Sequence, residues 1–424
     1  MVEMQSIPAA INEARLVETL SSIVDIASPT GEEAALAKHI VRHLSGFGIN
    51  AETQHLNNGQ VNAIGSIEGK GGEQAKNLLL YAPLDTVTTG QDFEDLPWIG
   101  PKLRPDMRAE ARHTPGHIVG LGAHNPKGHA ACIIEAACVL KEHGIALAGD
   151  VYLAFGASGM PTAGRPGMSD RPGHGAGCNH LLASQTGIDA AIVAKSGFAV
   201  TWEEVGFVWM DVVVKGTHTY VGSIHLLPYR GAISNAGKLI ERLEVYFADR
   251  AEALATECVK PQAVVSFIEA GWERMPAFTP AECRFRIDVR FGPNQTAAET
   301  EADIRQVVRV LCDELKISAD VELVQEIPAS QTDFESDIIQ TAIRTWELVK
   351  GKPHRPFREM SGSTDANIVR SYGIPTARMG LPKADLPDLD FQMGMNCVAV
   401  SDLRDLTAML VMSAVSYCGQ ADRG

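Results

Sequence analysis

Basic residues are outnumbered in this chain: 37 Lys and Arg stand against 52 Asp and Glu, leaving a net charge of −15 with His neutral. An acidic chain without a basic stripe lacks the footprint that nucleic acid demands. Long apolar runs are missing as well, and none reaches the roughly 18–20 residues of a membrane span. Met1-Val2-Glu3-Met4 carries no basic leader, so no secretory signal is expected. The eight cysteines (Cys132, Cys138, Cys178, Cys258, Cys283, Cys312, Cys397 and Cys418) never form a C-x-x-C pair. That excludes a zinc knuckle and a thioredoxin-type motif. Cys132 and Cys138 ride on an apolar helical pattern, the setting of small core hydrophobes. Internal repeats and low-complexity tracts are absent too. Scattered reduced thiols on an acidic chain lead us to expect a cytoplasmic protein with no nucleic-acid and no membrane partner.

What is present is ordinary globular material. Hydrophobic residues make up 45% and charged residues 21% of 424, enough for two or three folded domains. Leu16, Leu20, Ile23, Val24 and Ala27 mark one helical face; Leu36, Ile40 and Leu44 mark a second. Thr30 and Glu33 stand at capping-box spacing before that second helix. Strand-like runs follow at 78–82, 151–155 and 190–194, with a helix over about 127–143, which predicts a mostly parallel α/β sheet. A long Pro-rich loop spans 86–120. The middle of the chain then reads as strand (207–214), helix (233–247), strand (263–268), alternating strand (284–290), helix from Thr296 with Glu299 at capping-box distance, and strand (321–324). This β-α-β-β-α-β order predicts a ferredoxin-like unit at 206–326, inserted into an α/β domain made of 1–205 and 327–424. A strand at 375–379 and a helix at 402–415 complete the outer domain.

Five local motifs lie around that insertion in order: Ser28-Pro29-Thr30-Gly31-Glu32-Glu33; Leu80-Tyr81-Ala82-Pro83-Leu84-Asp85-Thr86-Val87; Gly120-Leu121-Gly122-Ala123-His124-Asn125-Pro126-Lys127-Gly128; Asp288-Val289-Arg290; and Ser361-Gly362-Ser363-Thr364-Asp365-Ala366. Together they resemble the zinc aminoacylase, acetylornithine deacetylase, succinyl-diaminopimelate desuccinylase and glutamate carboxypeptidase family. The resemblance implies a zinc-exopeptidase-like α/β fold, a lid domain that dimerises, and amide hydrolysis by two bridged zinc ions with a Glu as general base.

Carried over one position at a time, the family's metal ligands are replaced. The first His falls on Pro83, although the orienting Asp85 remains. The bridging Asp falls on Asn125. The adjacent Glu pair falls on Gly159 and Met160, the next acidic ligand on Lys195, and the last His near Gln392. Three losses do not depend on register: no His lies between His55 and His113, no Asp or Glu between Asp150 and Asp170, and no His after His354. The expectation is a protein without the family's metal site and without a cofactor. The lid histidine of the family aligns with Tyr220, two residues after His218; either could donate to an oxyanion. The family's substrate-binding Asn falls on Ala277.

The remaining residues leave alternatives open. Lys195 either fills the metal void and pairs with Asp85, or acts as a base or substrate clamp. With Ser196 beside it and Ser158 on the neighbouring strand end, a Ser–Lys nucleophile is one reading. Lys127 either holds its turn or faces an anionic ligand. His113, His117, His124, His129, His174 and His180 leave a relocated metal site open. The stretch 159–180 reads as a Gly- and Pro-rich loop that remodels the pocket, and Cys178 with His174 or His180 is a further nucleophile reading. Ser361, Gly362, Ser363 and Thr364 are expected to bind substrate with Asn125 and Lys127. The expected function is metal-independent hydrolysis of an amide or acyl C–N bond of a small polar metabolite in an interdomain cleft of a homodimer. A non-catalytic small-molecule-binding homologue is the second reading, and a conventional di-zinc deacylase or peptidase in a different register the third.

Overall fold

The computed structural model describes all residues except 1–3, 73, 165–169, 198, 385, 387–394 and 422–424. It forms two compact units. The larger comprises Met1–Trp202, Thr332–Phe357 and Thr364–Gly424; the smaller comprises Glu203–Gln331 and Arg358–Ser363.

In the larger unit, α1 (Glu13–Val24) starts at Asn12, whose side chain accepts the Arg15 N–H, and buries Leu16, Leu20, Ile23 and Val24. α2 (Ala34–Gly46) buries Leu36, Ile40 and Leu44. β1 (Asn50–His55) and β2 (Val61–Ile67) form an antiparallel hairpin that the sequence reading did not anticipate, because β1 alternates no apolar residues. β3 (Leu78–Pro83), α3 (Lys127–Glu142), β4 (Val151–Gly156), α4 (Ala176–Ser184) and β5 (Ala190–Ala194) follow. After the smaller unit come α5 (Asp337–Lys350), α6 (Ala366–Ser371), β6 (Thr376–Met379) and α7 (Val400–Cys418). The six strands take the order β1-β2-β4-β3-β5-β6. The β4–β3, β3–β5 and β5–β6 pairs are parallel, whereas β2 joins β4 antiparallel. α3 is buried along nearly its whole length, which explains why its apolar residues encircle it rather than line one face. Its buried Glu135 pairs with Arg15 at 2.6 Å.

Three local expectations need correction. The 86–120 segment is not one loop: it holds a helix (Asp92–Ile99) and a hairpin, Arg112–Thr114 with His117–Val119, that continues into Cys397–Ala399. The 159–180 stretch ends in α4 rather than remaining loop throughout. Thr30 and Glu33 form no capping box at α2, because both side chains are engaged elsewhere.

The smaller unit runs β7 (Gly206–Lys215), α8 (Ala232–Ala253), β8 (Ala263–Ala270), β9 (Glu282–Phe291), α9 (Ala297–Leu315) and β10 (Ala319–Ile327). Its antiparallel sheet has the order β8-β9-β7-β10, the ferredoxin-like arrangement. Phe285, Ile287 and Val289 of β9 are buried while Arg284, Arg286, Asp288 and Arg290 are partly exposed, as alternation requires. The capping box of Thr296 and Glu299 is complete. The unit extends past 206–326 because Glu203–Glu204 pairs with Ser330–Gln331 and Met360 bridges to Val259. Among the described residues, no helix is long and apolar enough to cross a membrane.

Candidate active site

Open α/β sheets bind ligands at the carboxyl ends of their parallel strands. Here those ends are Pro83, Gly156, Ala194 and Met379, with Pro83 and Gly156 adjacent in register. The loops that follow are clamped by one carboxylate. Asp85 Oδ1 accepts the Gly159 N–H at 2.7 Å, while Oδ2 accepts the Met160 N–H at 3.0 Å and the Thr30 hydroxyl at 2.6 Å. Burial raises its pKa, and the Thr30 hydrogen bond and the Lys195 charge pull it back. Asp85 is therefore the buried link between the loops after β3 and β4, with its oxygens already used.

Glu33 lies close by, fully buried. Its Oε1 accepts the Gly31 and Ser158 N–H groups at 2.9 and 3.1 Å. Burial first, and repulsion from Asp85 second, push its carboxyl up to about 7. In the sequence Glu33 has a capping spacing and a place in the 28–33 motif, and neither marks it as a buried carboxyl of the site.

Lys195 follows β5 and is 6% exposed, with Nζ 3.5 Å from Met160 Sδ. Asn125 is 5% exposed, and its Oδ1 has no hydrogen-bond partner among the described residues. Asp365, at the start of α6, is wedged between two glycines: a Cβ at Gly159 would lie 2.8 Å from its Oδ2, and one at Gly175 2.7 Å from its Oδ1. The same Gly159 Cβ would lie 2.3 Å from the Cβ of Pro83. Any side chain at position 159 would meet that ring.

These contacts bear on the zinc pair that the resemblance implies. Pro83 offers no donor, Asn125 is a neutral amide, Met160 offers a thioether facing an ammonium, and Lys195 is itself a cation. This donor set does not fit two divalent ions. Gln392 lies outside the described residues, as do residues 165–169 of the loop after β4. Among the described residues, no three His, Cys, Asp or Glu side chains are arranged to hold a metal ion.

Other expected site residues fall elsewhere. Lys127 is fully buried and donates to the carbonyls of Val24 and Ile26 at 3.3 and 2.7 Å. It holds the chain leaving α1 rather than facing an anion, and burial lowers its pKa to about 7. Ser158 is fully buried, its hydroxyl bonded to Gln60, so it is closed off as a nucleophile. Cys178 is also fully buried; burial and the Asp365 charge push its thiol well above the usual range, which suppresses the thiolate. His180, two positions along α4, does not share its face. His113 and His117 lie on the Arg112–Val119 hairpin, facing Ser21 Oγ and the Pro115 carbonyl.

In the smaller unit, Tyr220 is half exposed and its ring centroid lies 5.6 Å from that of Phe278. His218 stacks on the same ring, and its Nδ1 is 2.6 Å from the Thr279 carbonyl. That contact places the proton on Nδ1, so a neutral His218 offers only a lone pair at Nε2; Tyr220 keeps a hydroxyl that can donate. Trp272, Met275 and Phe278 line an apolar cavity of about 590 Å³ beside His218. Ser361, Gly362 and Ser363 also belong to the smaller unit, where Ser361 Oγ accepts the Gln262 N–H at 3.0 Å. Thr364 begins the return to the larger unit and accepts the Ala366 N–H at 3.2 Å.

Comparison with known proteins agrees with this architecture. The sequence model of Peptidase family M20/M25/M40 matches residues 79–411. N-formyl-4-amino-5-aminomethyl-2-methylpyrimidine deformylase of Bacillus subtilis is 23% identical over 306 residues, 70% of this chain and 67% of the relative. The protein of the same description from Halalkalibacterium halodurans is 23% identical over 398 residues, 87% of each chain. Human carnosine dipeptidase 1 superposes with a TM-score of 0.73 at 12% identity, covering 99% of both chains. A hydantoinase/carbamoylase family amidase from Burkholderia ambifaria gives 0.65 at 16% identity, covering 100% of both.

Proposed function

The chain belongs to peptidase family M20/M25/M40, and from that premise we propose that this hydrolase cleaves an amide or acyl C–N bond of a small polar metabolite without the family's pair of metal ions. The two deformylase relatives are named for a reaction of this kind, on a small formylated amine. The observation that carries the proposal is Lys195, a nearly buried ammonium at the end of a central parallel strand, where the resemblance expects a metal-binding carboxylate. A fixed positive charge in a low-dielectric loop can polarise an acyl oxygen, which is part of what a metal ion does. The Lys195 charge favours the ionised form of Asp85, and the Asn125 Oδ1, without a hydrogen-bond partner among the described residues, is the proposed acceptor of a substrate N–H. Tyr220 is the proposed hydroxyl donor of the smaller unit. We further propose a cytoplasmic homodimer joined through the smaller units.

The test is turnover of N-formyl-4-amino-5-aminomethyl-2-methylpyrimidine, with N-acyl amino acids, amides and lactams as a panel, before and after chelation. Turnover that survives the chelator in protein free of bound metal is expected. About two zinc or manganese ions per chain, with activity lost on their removal, would overturn it. Lys195→Ala is expected to lower kcat by about 10²–10³-fold, the cost of losing one preorganised charge at the acyl oxygen. If Lys195→Ala and Asp85→Ala both left turnover unchanged, the site would lie elsewhere.

A further inference from the structure

We propose that Ser196 is the nucleophile of this site and His124 its general base. The inference rests on the metal-free reading above and supplies the reacting groups that reading lacks. Ser196 follows Lys195 at the carboxyl end of β5 and is partly exposed. Its Oγ lies 3.5 Å from His124 Nδ1. The opposite nitrogen of that ring, Nε2, lies 3.1 Å from the Leu381 carbonyl and 3.0 Å from the Pro382 carbonyl. Two acceptor oxygens facing one ring nitrogen require the proton on Nε2, which leaves a lone pair on Nδ1 facing the serine.

The arrangement has the parts of an activated nucleophile: a hydroxyl, a base within reach, and a third group that fixes the base. Backbone carbonyls take the third role here. They are themselves fixed, since the Leu381 N–H donates to His129 Nε2 at 3.2 Å and its carbonyl also accepts the Gly197 N–H at 3.3 Å. The Ser196 carbonyl is held by Arg378. A serine–histidine contact of 3.5 Å is loose for a ground-state hydrogen bond, but catalytic contacts commonly tighten only once substrate is bound. The other candidate nucleophiles, Ser158 and Cys178, are fully buried.

The step balances without a metal. Ser196 Oγ adds to the acyl carbon while its proton passes to His124 Nδ1. The tetrahedral adduct collapses, breaking the C–N bond, and the departing amine takes that proton. Water then attacks the resulting ester and gives a proton to Nδ1; Ser196 leaves as the hydroxyl by recovering it, and the carboxylic acid is released. The Lys195 ammonium and the Asn125 carboxamide stand on the loops that flank the pair, and they are the proposed partners of the acyl oxygen and the substrate N–H.

The full-length chain is treated with phenylmethanesulfonyl fluoride and a fluorophosphonate, and the modified residue is mapped by peptide mass spectrometry. One adduct per chain on Ser196 is expected, absent in Ser196→Ala and formed at least about tenfold more slowly in His124→Asn. Circular dichroism checks the fold of both variants, and the wild-type map needs neither. An unmodified Ser196, under conditions that label a known serine hydrolase fully, would overturn the pair. Repeating formamide turnover with a chelator separates the two ideas: chelator-resistant activity with an unlabelled Ser196 sinks the nucleophile alone, whereas activity lost on chelation and restored by zinc sinks the metal-free reading beneath it.

Discussion

Two carboxyl groups buried in one loop cluster cannot both ionise freely, and both Glu33 and Asp85 are pushed upward. The Glu33 carboxyl is pushed from 4.5 up to about 7 by burial and by Asp85. The folded protein therefore holds that proton longer than the unfolded chain does. Through this group, stability falls as pH climbs from about 4.5 to about 7 and is level on either side, a change of about 3 kcal/mol. His124 acts in the opposite sense: with its pKa lowered from 6.5 to about 4, it adds stability as pH rises across that lower window. Other buried groups shift as well, His129 downward and Asp85 upward, so only a variant isolates the Glu33 contribution. Glu33→Gln removes the titration while keeping a carbonyl for the Gly31 and Ser158 amides. The stability of Glu33→Gln relative to wild type should grow by about 3 kcal/mol between pH 4.5 and 7, read from urea unfolding at four or five pH values. A difference that stays flat would mean that Glu33 ionises normally.

At the scale of elements, the two Thr-x-x-Glu motifs separate what a sequence can and cannot say. Thr296 and Glu299 form a reciprocal capping box at α9, and Thr296→Ala should cost the smaller unit about 1 kcal/mol, seen as a lower urea midpoint. Thr30 and Glu33 have the same spacing, yet Thr30 bonds to Asp85 and Glu33 to Gly31 and Ser158. Local pattern decides a cap only where no distant partner competes. The same limit explains the other misses. Periodicity located α1, α2 and β9 because each has one clearly apolar face, and β5 because it is apolar throughout, whereas β1 is polar except for Ala51 and α4 follows a glycine-rich approach. At the site, Pro83, Gly159, Met160 and Lys195 were legible because the motifs fix their positions. The partners of Ser158, Lys127 and His124 were not, because a hydrogen bond across 72 or more residues is set by the finished fold.

For the whole molecule, the open question is what covers the edge of the smaller sheet. β8 is an edge strand, and its Val264, Phe267 and Ile268 are 49%, 44% and 54% exposed. An exposed apolar edge invites pairing with another chain, and proteins usually shorten it, charge it or cover it. The defences present here are limited: a register irregularity between Val265 and Phe267, and Glu269, which is paired to Arg284. A chain with a net charge of −15 resists indiscriminate aggregation, so a specific self-association satisfies both observations better than a bare edge does. On this argument the protein should sediment at twice its 45.5 kDa chain mass. Ile268→Lys should shift it to the monomer while leaving its circular dichroism intact, because position 268 contributes to the exposed edge and not to the core. A wild-type chain that sediments as a monomer at micromolar concentration would refute the dimer and leave the edge to be explained by its irregular register and its one ion pair.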